Sequence, residues 1–116
     1  MAVFDVIVNN ADRKGAHILA MPGGHRYGVD HGLTFHVADK LRTVLWGWLG
    51  ATLNKEERDS LGWVLEGLDG ALGAQLGALL SVGEIDALTG RCAQLLTDGR
   101  FPAPSGRTPA VPWPIF

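Results

Sequence analysis

The N-terminal part of the chain alternates short apolar runs with polar, glycine-containing breaks. The first run, AVFDVIV at residues 2–8, is interrupted only by Asp5 and is too short for periodicity to separate a strand from the end of a helix. Residues 9–16 are rich in Asn, Asp and Gly, which is typical of a loop. The next two runs, HILAM and RYGVD, are separated by the turn sequence PGGH. This pattern predicts a β-hairpin over residues 17–30.

Helical spacing begins near Asp39. The apolar residues that follow recur at steps of three and four and predict one apolar helix face: Leu41, Val44, Leu45 and Trp48. The tryptophans at 46, 48 and 63 fall on such stripes, so we expect them in the core.

Two later helices carry start signals, because two polar pairs have the spacing of a capping box: Asn54 with Glu57, and Ser81 with Glu84. Gly99 is placed to end the last helix. Between them, GALGAQLGALL at residues 70–80 is either a short glycine-spaced helix or a loose turn. Together these patterns predict helices over residues 38–98 and an α+β fold that is mainly α-helical with a small β-hairpin.

Residues 101–116, FPAPSGRTPAVPWPIF, are proline-rich, which excludes a helix or an interior strand. The segment also contains Phe, Val, Trp and Ile, which are unfavourable in a solvated tail. We therefore expect it to pack back on the domain or to cover the surface of a missing partner.

The composition limits the classes of function. The chain has 116 residues with 47% hydrophobic and 19% charged side chains, which suits one ordinary globular domain. A formal net charge of −2 provides no positive field for nucleic acid. Cys92 is the single cysteine and has no partner for an internal disulfide, which fits a reducing cytoplasm. No apolar run approaches the roughly 20 residues that span a bilayer, so no integral membrane segment is predicted.

Candidate chemistry is concentrated before residue 33. Asp12 and Asp30 flank the predicted hairpin, whose out-and-back path places both carboxylates at the same open end. Two carboxylates there suit a hard divalent cation and a phosphate, and Arg13 and Lys14 can neutralise phosphate charge. Asp5 either lies at the surface or braces this loop.

The stretches FDVIVNNADRKGAHIL, YGVDHGLTFH, KLRTVLWGWLG and VPWPIF resemble an actinobacterial family described as phosphatidylinositol 3- and 4-kinase-like. An Asp followed five residues later by a metal ligand, then a hairpin, then Asp-x-Gly, is the C-terminal-lobe signature of the protein-kinase-like fold. The resemblance covers most of the chain and implies a kinase-like C-lobe without its N-lobe.

The resemblance also implies roles for the loop residues. Asp12 would orient or deprotonate the acceptor hydroxyl, and Arg13 and Lys14 would stabilise the transferring phosphoryl group. Asn9 and Asn10 are typical turn formers, one of which can also hydrogen-bond to the catalytic loop. Lys14 and Asn10 are the residues expected to contact the nucleotide, ATP.

For the metal, the resemblance points to Asp30 and His17. Asp30, in the D-H-G triplet, would hold the Mg²⁺ or Mn²⁺ ions that bridge the nucleotide phosphates. His17 occupies the position where the fold ordinarily has an asparagine ligand, and imidazole suits manganese or zinc better than magnesium. From the residues alone, His17 is equally well a structural hydrogen-bonding residue.

We therefore expect a C-lobe over residues 1–100 with a proline-rich segment, 101–116, packed on it. Its parts would be a catalytic loop at 9–17, the hairpin at 17–30, the metal-binding triplet at 30–32 and helices at 38–98. Because no glycine loop or strand lysine precedes the catalytic loop, we expect a fragment of a longer kinase-like protein, inactive alone. Its partners would be a nucleotide and a hydroxyl-bearing substrate, with a missing N-lobe or a second copy covering exposed surface. The alternative is a non-catalytic interaction module with a vestigial site.

Overall fold

In a computed structural model the chain is mainly helical with one two-stranded antiparallel sheet, an α+β arrangement. The structure describes residues 1–24, 26–28, 31–106 and 109–115. Its α-helices and strands are α1 Ala2–Val8, β1 Ile18–Ala20, β2 Arg26–Gly28, α2 Lys55–Leu68, α3 Ala71–Leu76 and α4 Val82–Asp98. Short 3-10 turns lie at Gly15–His17, Pro22–Gly24 and Trp46–Trp48. Among the described residues, no helix has the length and apolar character needed to cross a membrane.

The chain divides into two compact units. Unit 1 comprises Met1–Gly47 and Pro104–Phe116, and it contains α1 and the hairpin. Unit 2 comprises Trp48–Ala103 and contains α2, α3 and α4. The proline-rich segment from Pro104 onward thus belongs to the same unit as the N-terminal residues.

Unit 2 is a small helical unit in which α2 packs against α3 and α4. On α4 the buried residues Leu88, Cys92 and Leu95 recur at helical spacing. All the described buried side chains of unit 2 are apolar or the thiol of Cys92: Leu53, Leu61, Leu88, Cys92, Leu95 and Phe101. Both capping boxes are confirmed, since the side chains of Asn54 and Ser81 accept from the backbone amides of Glu57 and Glu84. Gly99 ends α4 with a φ of 65°, as predicted. Of the two alternatives for residues 70–80, a short helix or a loose turn, the structure has the helix, α3.

The predicted hairpin of unit 1 is confirmed, although its strands are shorter than the apolar runs. Leu19 pairs with Tyr27 at the centre of the antiparallel register. The turn needs glycine, because Gly23 and Gly24 have φ values of 78° and 77°.

The predicted helix beginning near Asp39 is wrong. Residues 39–45, all of which the structure describes, contain no helical turn, and Trp46–Trp48 is a 3-10 turn. The backbone of residues 42–44 instead pairs with Arg13 in a parallel bridge, so its amides and carbonyls are not available for helical hydrogen bonds. Two of the expected core tryptophans are exposed, Trp48 by 61% and Trp63 by 70%.

Residues 2–8 form a helix rather than a strand. Four of these seven residues are Val or Ile, whose intrinsic helix propensity is modest. Tertiary burial therefore selects the helix. Ala2, Asp5 and Val6 are buried, which is the three- and four-residue spacing of one helix face. The single charged residue of the run, Asp5, is therefore carried inward rather than to the surface.

Candidate functional site

The end of α1 begins the predicted catalytic loop. Asn9, the C-cap of the helix, has φ 57° and ψ 50°, a left-handed conformation that asparagine tolerates better than most residues. Its side chain is buried and reaches a distant part of the chain: Nδ2 donates to the carbonyls of His36 and Ala38 at 2.8 and 2.7 Å. Its Oδ1 accepts from the Lys40 amide at 2.9 Å. One asparagine therefore fixes residues 36–40 against the start of the loop.

The centre of unit 1 is a buried ion pair between Asp5 and Arg13. The Arg13 Nη2 donates to Asp5 Oδ1 at 2.8 Å, and Nε lies 3.1 and 3.0 Å from the two carboxylate oxygens. Both side chains have no exposed surface. A two-oxygen, two-nitrogen pairing of this kind is the strongest and most directional form of the arginine–carboxylate contact. Asp5 thus braces the loop, which was one of its two predicted roles.

Two more buried side chains complete the hydrogen bonding of the Asp5 carboxylate. Asn10 Nδ2 donates to Oδ1 at 3.2 Å, and the Thr43 hydroxyl donates to Oδ2 at 3.4 Å. Each of these also orders backbone nearby, since Asn10 Oδ1 accepts from the Asp12 amide and Thr43 Oγ1 accepts from the Leu45 amide, both at 3.0 Å. A buried charge surrounded in this way by donors avoids the penalty of an unsatisfied buried charge. We call Asp5, Asn10, Arg13 and Thr43 the buried network.

Asp12 and Lys14 lie on either side of Arg13 and reach the surface. The Lys14 Nζ is 3.8 Å from Asp12 Oδ1, and their side chains are 20% and 29% exposed respectively. His17 is close to both, since its Nδ1 lies 3.0 Å from the Asp12 carbonyl and 3.3 Å from the Lys14 amide. One nitrogen cannot donate to the carbonyl and accept from the amide at once, so the tautomer decides which contact forms. In either tautomer Nδ1 is used by the loop backbone.

The proline-rich segment also contacts this loop. The Ile115 carbonyl accepts from the Gly15 amide at 2.9 Å. The Ala110 carbonyl accepts from the Thr43 amide at 3.2 Å and from the Trp46 indole at 2.7 Å. The segment is therefore hydrogen-bonded to both chain segments that contribute to the buried network.

The structure brings together three of the predicted site residues, Asp12, Lys14 and His17. Arg13 and Asn10 lie behind them in the buried network, where Arg13 is occupied by Asp5, so their contacts with a phosphoryl group or nucleotide stay predictions. Asp30, the predicted metal ligand of the D-H-G triplet, lies outside the described residues. Among residues 1–24, 26–28, 31–106 and 109–115, no group of three or more His, Cys, Asp or Glu side chains is arranged to hold a metal ion.

The role of Thr43 was missed by the sequence interpretation. Its segment looks helical from its apolar spacing, and no local signal shows that a threonine 38 positions after Asp5 meets that carboxylate. For Asp5 a signal does exist, because a lone charge within an apolar run must find a partner if the run is buried.

Comparison with known proteins gives one informative relative. The chain is 47% identical over 116 residues to Protein Rv2133c of Mycobacterium tuberculosis (strain ATCC 25618 / H37Rv). The alignment covers all of this chain and 41% of the length of that protein. No protein-family model matches the chain. No solved structure matches it either.

Proposed function

We propose that this chain carries the phosphotransfer site of an ATP- and metal-dependent kinase-like protein, with the C-lobe fold that its resemblance to phosphatidylinositol 3- and 4-kinases implies. The observation that carries the proposal is the placement of Asp12 and Lys14. A carboxylate and an ammonium 3.8 Å apart reach the surface from a loop whose intervening residue, Arg13, is fully buried and ion-paired. The buried ion pair of Arg13 with Asp5 thus fixes the loop, while the charged groups of Asp12 and Lys14 remain accessible.

This arrangement suits the transfer of a phosphoryl group to a hydroxyl. Asp12 would accept a hydrogen bond from the acceptor hydroxyl and take its proton as the hydroxyl oxygen bonds to the γ-phosphorus of ATP and the bond from that phosphorus to the bridging oxygen breaks, releasing ADP. Lys14 would neutralise charge on the transferring group, because a cation fixed at that position needs little reorganisation during the reaction. A bound Mg²⁺ or Mn²⁺ would neutralise the nucleotide phosphates, with Asp30 and His17 as the residues to hold it. A reaction that consumes ATP would take place in the cytoplasm, where ATP is available.

The proposal is tested by nucleotide binding. Thermal unfolding of the chain is followed with ATP and either Mg²⁺ or Mn²⁺, for the wild type and for Asp12→Asn and Lys14→Gln. Matched controls are Asp59→Asn and Lys55→Gln, which remove the same charges from an exposed pair on α2. We expect Tm to rise by at least about 4 °C at ligand concentrations ten times Kd, and the rise to shrink in Lys14→Gln, which removes a nucleotide contact, but not in Asp12→Asn, because the partner of Asp12 is the acceptor hydroxyl. A wild-type chain whose Tm does not respond to millimolar nucleotide and metal would refute the proposal.

The alternative function is a non-catalytic interaction module, and one observation favours it. Unit 2 leaves large apolar side chains in water: Trp63 is 70% exposed, Val82 76% and Leu79 82%. Exposed apolar surface of this kind is typical of protein contacts when it is contiguous. Sedimentation at increasing protein concentration tests this function by measuring self-association of the chain. If the chain associates through this surface, Trp63→Gln and Leu79→Gln should weaken the association. A monomer at all concentrations would count against self-association.

A further inference from the structure

The outer side of α2 presents one large aromatic side chain to water. Trp63 follows the buried Leu61 by two residues, which places it about 200° further around the helix. Leu61 is 2% exposed and belongs to the core of unit 2, whereas Trp63 is 70% exposed. The indole therefore contributes little to that core, and an apolar surface of this size left in water does not stabilise the unit.

Acidic side chains share this side of the helix with Trp63. Glu56 and Asp59 precede it by seven and four residues and Glu66 follows it by three, so all four positions fall on one strip of the helix surface. We call these four residues the α2 strip. Asp59 is paired with Lys55, whereas the carboxylates of Glu56 and Glu66 are exposed and form no ion pair among the described residues. Negative charge thus borders the indole along about 15 Å of helix.

The stability of α2 explains only part of this charge. Glu56 lies in the first turn, where the helix dipole favours an acidic side chain. Glu66 lies in the last turn, where the same dipole disfavours a negative charge and where α2 has no basic residue. Glu66 is therefore unfavourable for the helix itself, and an interaction outside α2 accounts for it better.

The charge of unit 2 as a whole has the same sign. Residues 48–103 contain eight acidic and four basic side chains, a net charge of −4, whereas the complete chain has −2. Exposed tryptophans are common contact residues for membranes, nucleic-acid bases and other proteins, and the sign of the charge separates these partners. The α2 strip repels anionic lipid headgroups, nucleic acid and a second copy that presents the same strip, and it attracts a cationic protein segment.

We propose that the α2 strip is a docking site for an arginine-bearing segment of another protein. A guanidinium is planar, so it stacks on the Trp63 indole while pairing with a carboxylate one helical turn away, on Glu66 or Asp59. Lysine, a compact and strongly hydrated cation, fits this combination less well. The proposal goes beyond phosphotransfer and does not depend on it, because the α2 strip shares no residue with the loop that carries Asp12 and Lys14.

The test uses synthetic peptides of defined charge as probes. An alanine-based peptide with three arginines, spaced three and four residues apart, is titrated into the full chain in a calorimeter; matched peptides have lysine or glutamate at the same positions. We expect the arginine peptide to bind with a Kd below about 1 mM, the lysine peptide several-fold more weakly and the glutamate peptide not at all. Raising the salt concentration from about 0.05 M to about 0.5 M should weaken binding of the arginine peptide, because salt screens exposed charges.

Substitutions on α2 locate the binding site. Trp63→Leu removes the aromatic face but keeps an apolar side chain of high helix propensity, and it should weaken binding of the arginine peptide about fivefold or more. Glu66→Gln should weaken it about threefold. Two matched controls should bind as the wild type does: Trp48→Leu, which changes a tryptophan that is 61% exposed, and Asp86→Asn, which removes an exposed carboxylate of α4.

Thermal unfolding without peptide separates this binding role from a structural one. Because Trp63 is largely exposed, Trp63→Leu should change Tm by less than about 4 °C. Glu66→Gln should raise Tm slightly, because it removes a negative charge from the end of α2 that the helix dipole disfavours. A clear loss of Tm in both variants with unchanged peptide affinity would show that these side chains serve the fold, and would overturn the docking site.

The other outcomes are equally decisive. No binding of the arginine peptide at millimolar concentration, equal binding of the glutamate peptide, or unchanged affinity in Trp63→Leu would each overturn the proposal. Vesicles containing phosphatidylserine are the probe for a membrane partner, and vesicle binding that Trp63→Leu abolishes would assign the indole to a lipid surface instead. Self-association that Trp63→Gln abolishes would assign it to a second copy and overturn the proposal as well.

Discussion

The two units of this chain bury different chemistry. In unit 2 every described buried side chain is apolar or the thiol of Cys92, and the three helices are regular. Unit 1 has little regular structure, and it contains all the buried polar and charged side chains of the described residues: Asp5, Asn9, Asn10, Arg13 and Thr43. Unit 2 is therefore organised by non-directional burial, and the centre of unit 1 by hydrogen bonds that require specific partners.

This difference has a functional meaning. An apolar core tolerates changes of shape, because hydrophobic burial depends mainly on the area removed from water. A buried ion pair tolerates almost none, since removing one partner leaves the other charge unpaired away from water. The proposed phosphotransfer site needs a loop that presents Asp12 and Lys14 in one geometry, and an interior of the second kind positions such a loop better. The following predictions test this comparison, beginning with the largest effect.

Breaking the buried network should have the largest effect. Asp5→Asn leaves the Arg13 guanidinium buried without a counter-ion, which costs about 3–5 kcal/mol. We expect site-resolved hydrogen exchange to accelerate at the Ala11 and Val44 amides of unit 1, which are hydrogen-bonded to Leu33 and Arg13. Amides in the middle of α4 should change much less.

The double variant Asp5→Leu with Arg13→Met is the control for this prediction. Replacing both charges by apolar side chains of similar size removes the unpaired charge, so part of the stability should return, while the Asn10 amide and the Thr43 hydroxyl each lose an acceptor. If exchange at the Ala11 and Val44 amides is no faster in Asp5→Asn than in the wild type, the ion pair does not organise unit 1 and the comparison of the two units is wrong.

An apolar truncation in unit 2 should have a somewhat smaller effect and a different location. Leu61 is 2% exposed, and Leu61→Ala should lower the free energy of unfolding by about 2–5 kcal/mol through lost burial and a cavity. Exchange should accelerate in α2 and α4, and the unit 1 amides should be less affected. Leu61→Met, which keeps the volume, should cost less than about 1.5 kcal/mol. Equal acceleration of both units would show that they unfold together.

Alkaline pH should weaken unit 2 through Cys92. Burial raises the pKa of the Cys92 thiol above its ordinary value of 9.0, and the nearby Arg91 charge offsets this only in part. Above pH 9 the unfolded chain loses the thiol proton while the folded chain keeps it, so the folded state binds more protons. Stability should then fall as pH rises above 9, by up to about 1.4 kcal/mol per pH unit, until the folded thiol also ionises.

Urea unfolding of the wild type and of Cys92→Ala between pH 8 and pH 10 measures this contribution. The variant is less stable at every pH because of the cavity, but its stability should lack the part of the alkaline slope that comes from the thiol. Identical slopes in the two proteins would exclude the thiol as the cause.

The smallest effect is expected for an ion pair at the surface. Lys55 Nζ lies 2.6 Å from Asp59 Oδ2, a shorter contact than any in the buried pair, yet the two side chains are 83% and 44% exposed. Because solvent screens such a pair, Lys55→Ala should change the free energy of unfolding by no more than about 0.5 kcal/mol. Measured beside Asp5→Asn in low and high salt, it compares one type of contact in two environments. A cost near that of Asp5→Asn would contradict the distinction between them.

The parts of the fold that the sequence predicts are those with local causes. The capping boxes at Asn54 and Ser81 need only residues three positions apart, and the hairpin turn needs only adjacent glycines with positive φ. The wrong prediction near Asp39 has the opposite origin. There the apolar spacing favours a helix, but the Arg42 and Val44 amides donate to the carbonyls of Asn10 and Arg13 and so are not available to a helix.

The candidate site divides in the same way. The sequence by itself determined that Asp12, Lys14 and His17 are neighbours, because they stand within six positions of one another in one loop. Only the tertiary structure decided their environment: that Arg13 turns inward to Asp5, and that Thr43 and Arg42 lie beside the loop. Local geometry follows from covalent neighbours, whereas burial and ion pairing depend on segments that meet only when the chain has folded.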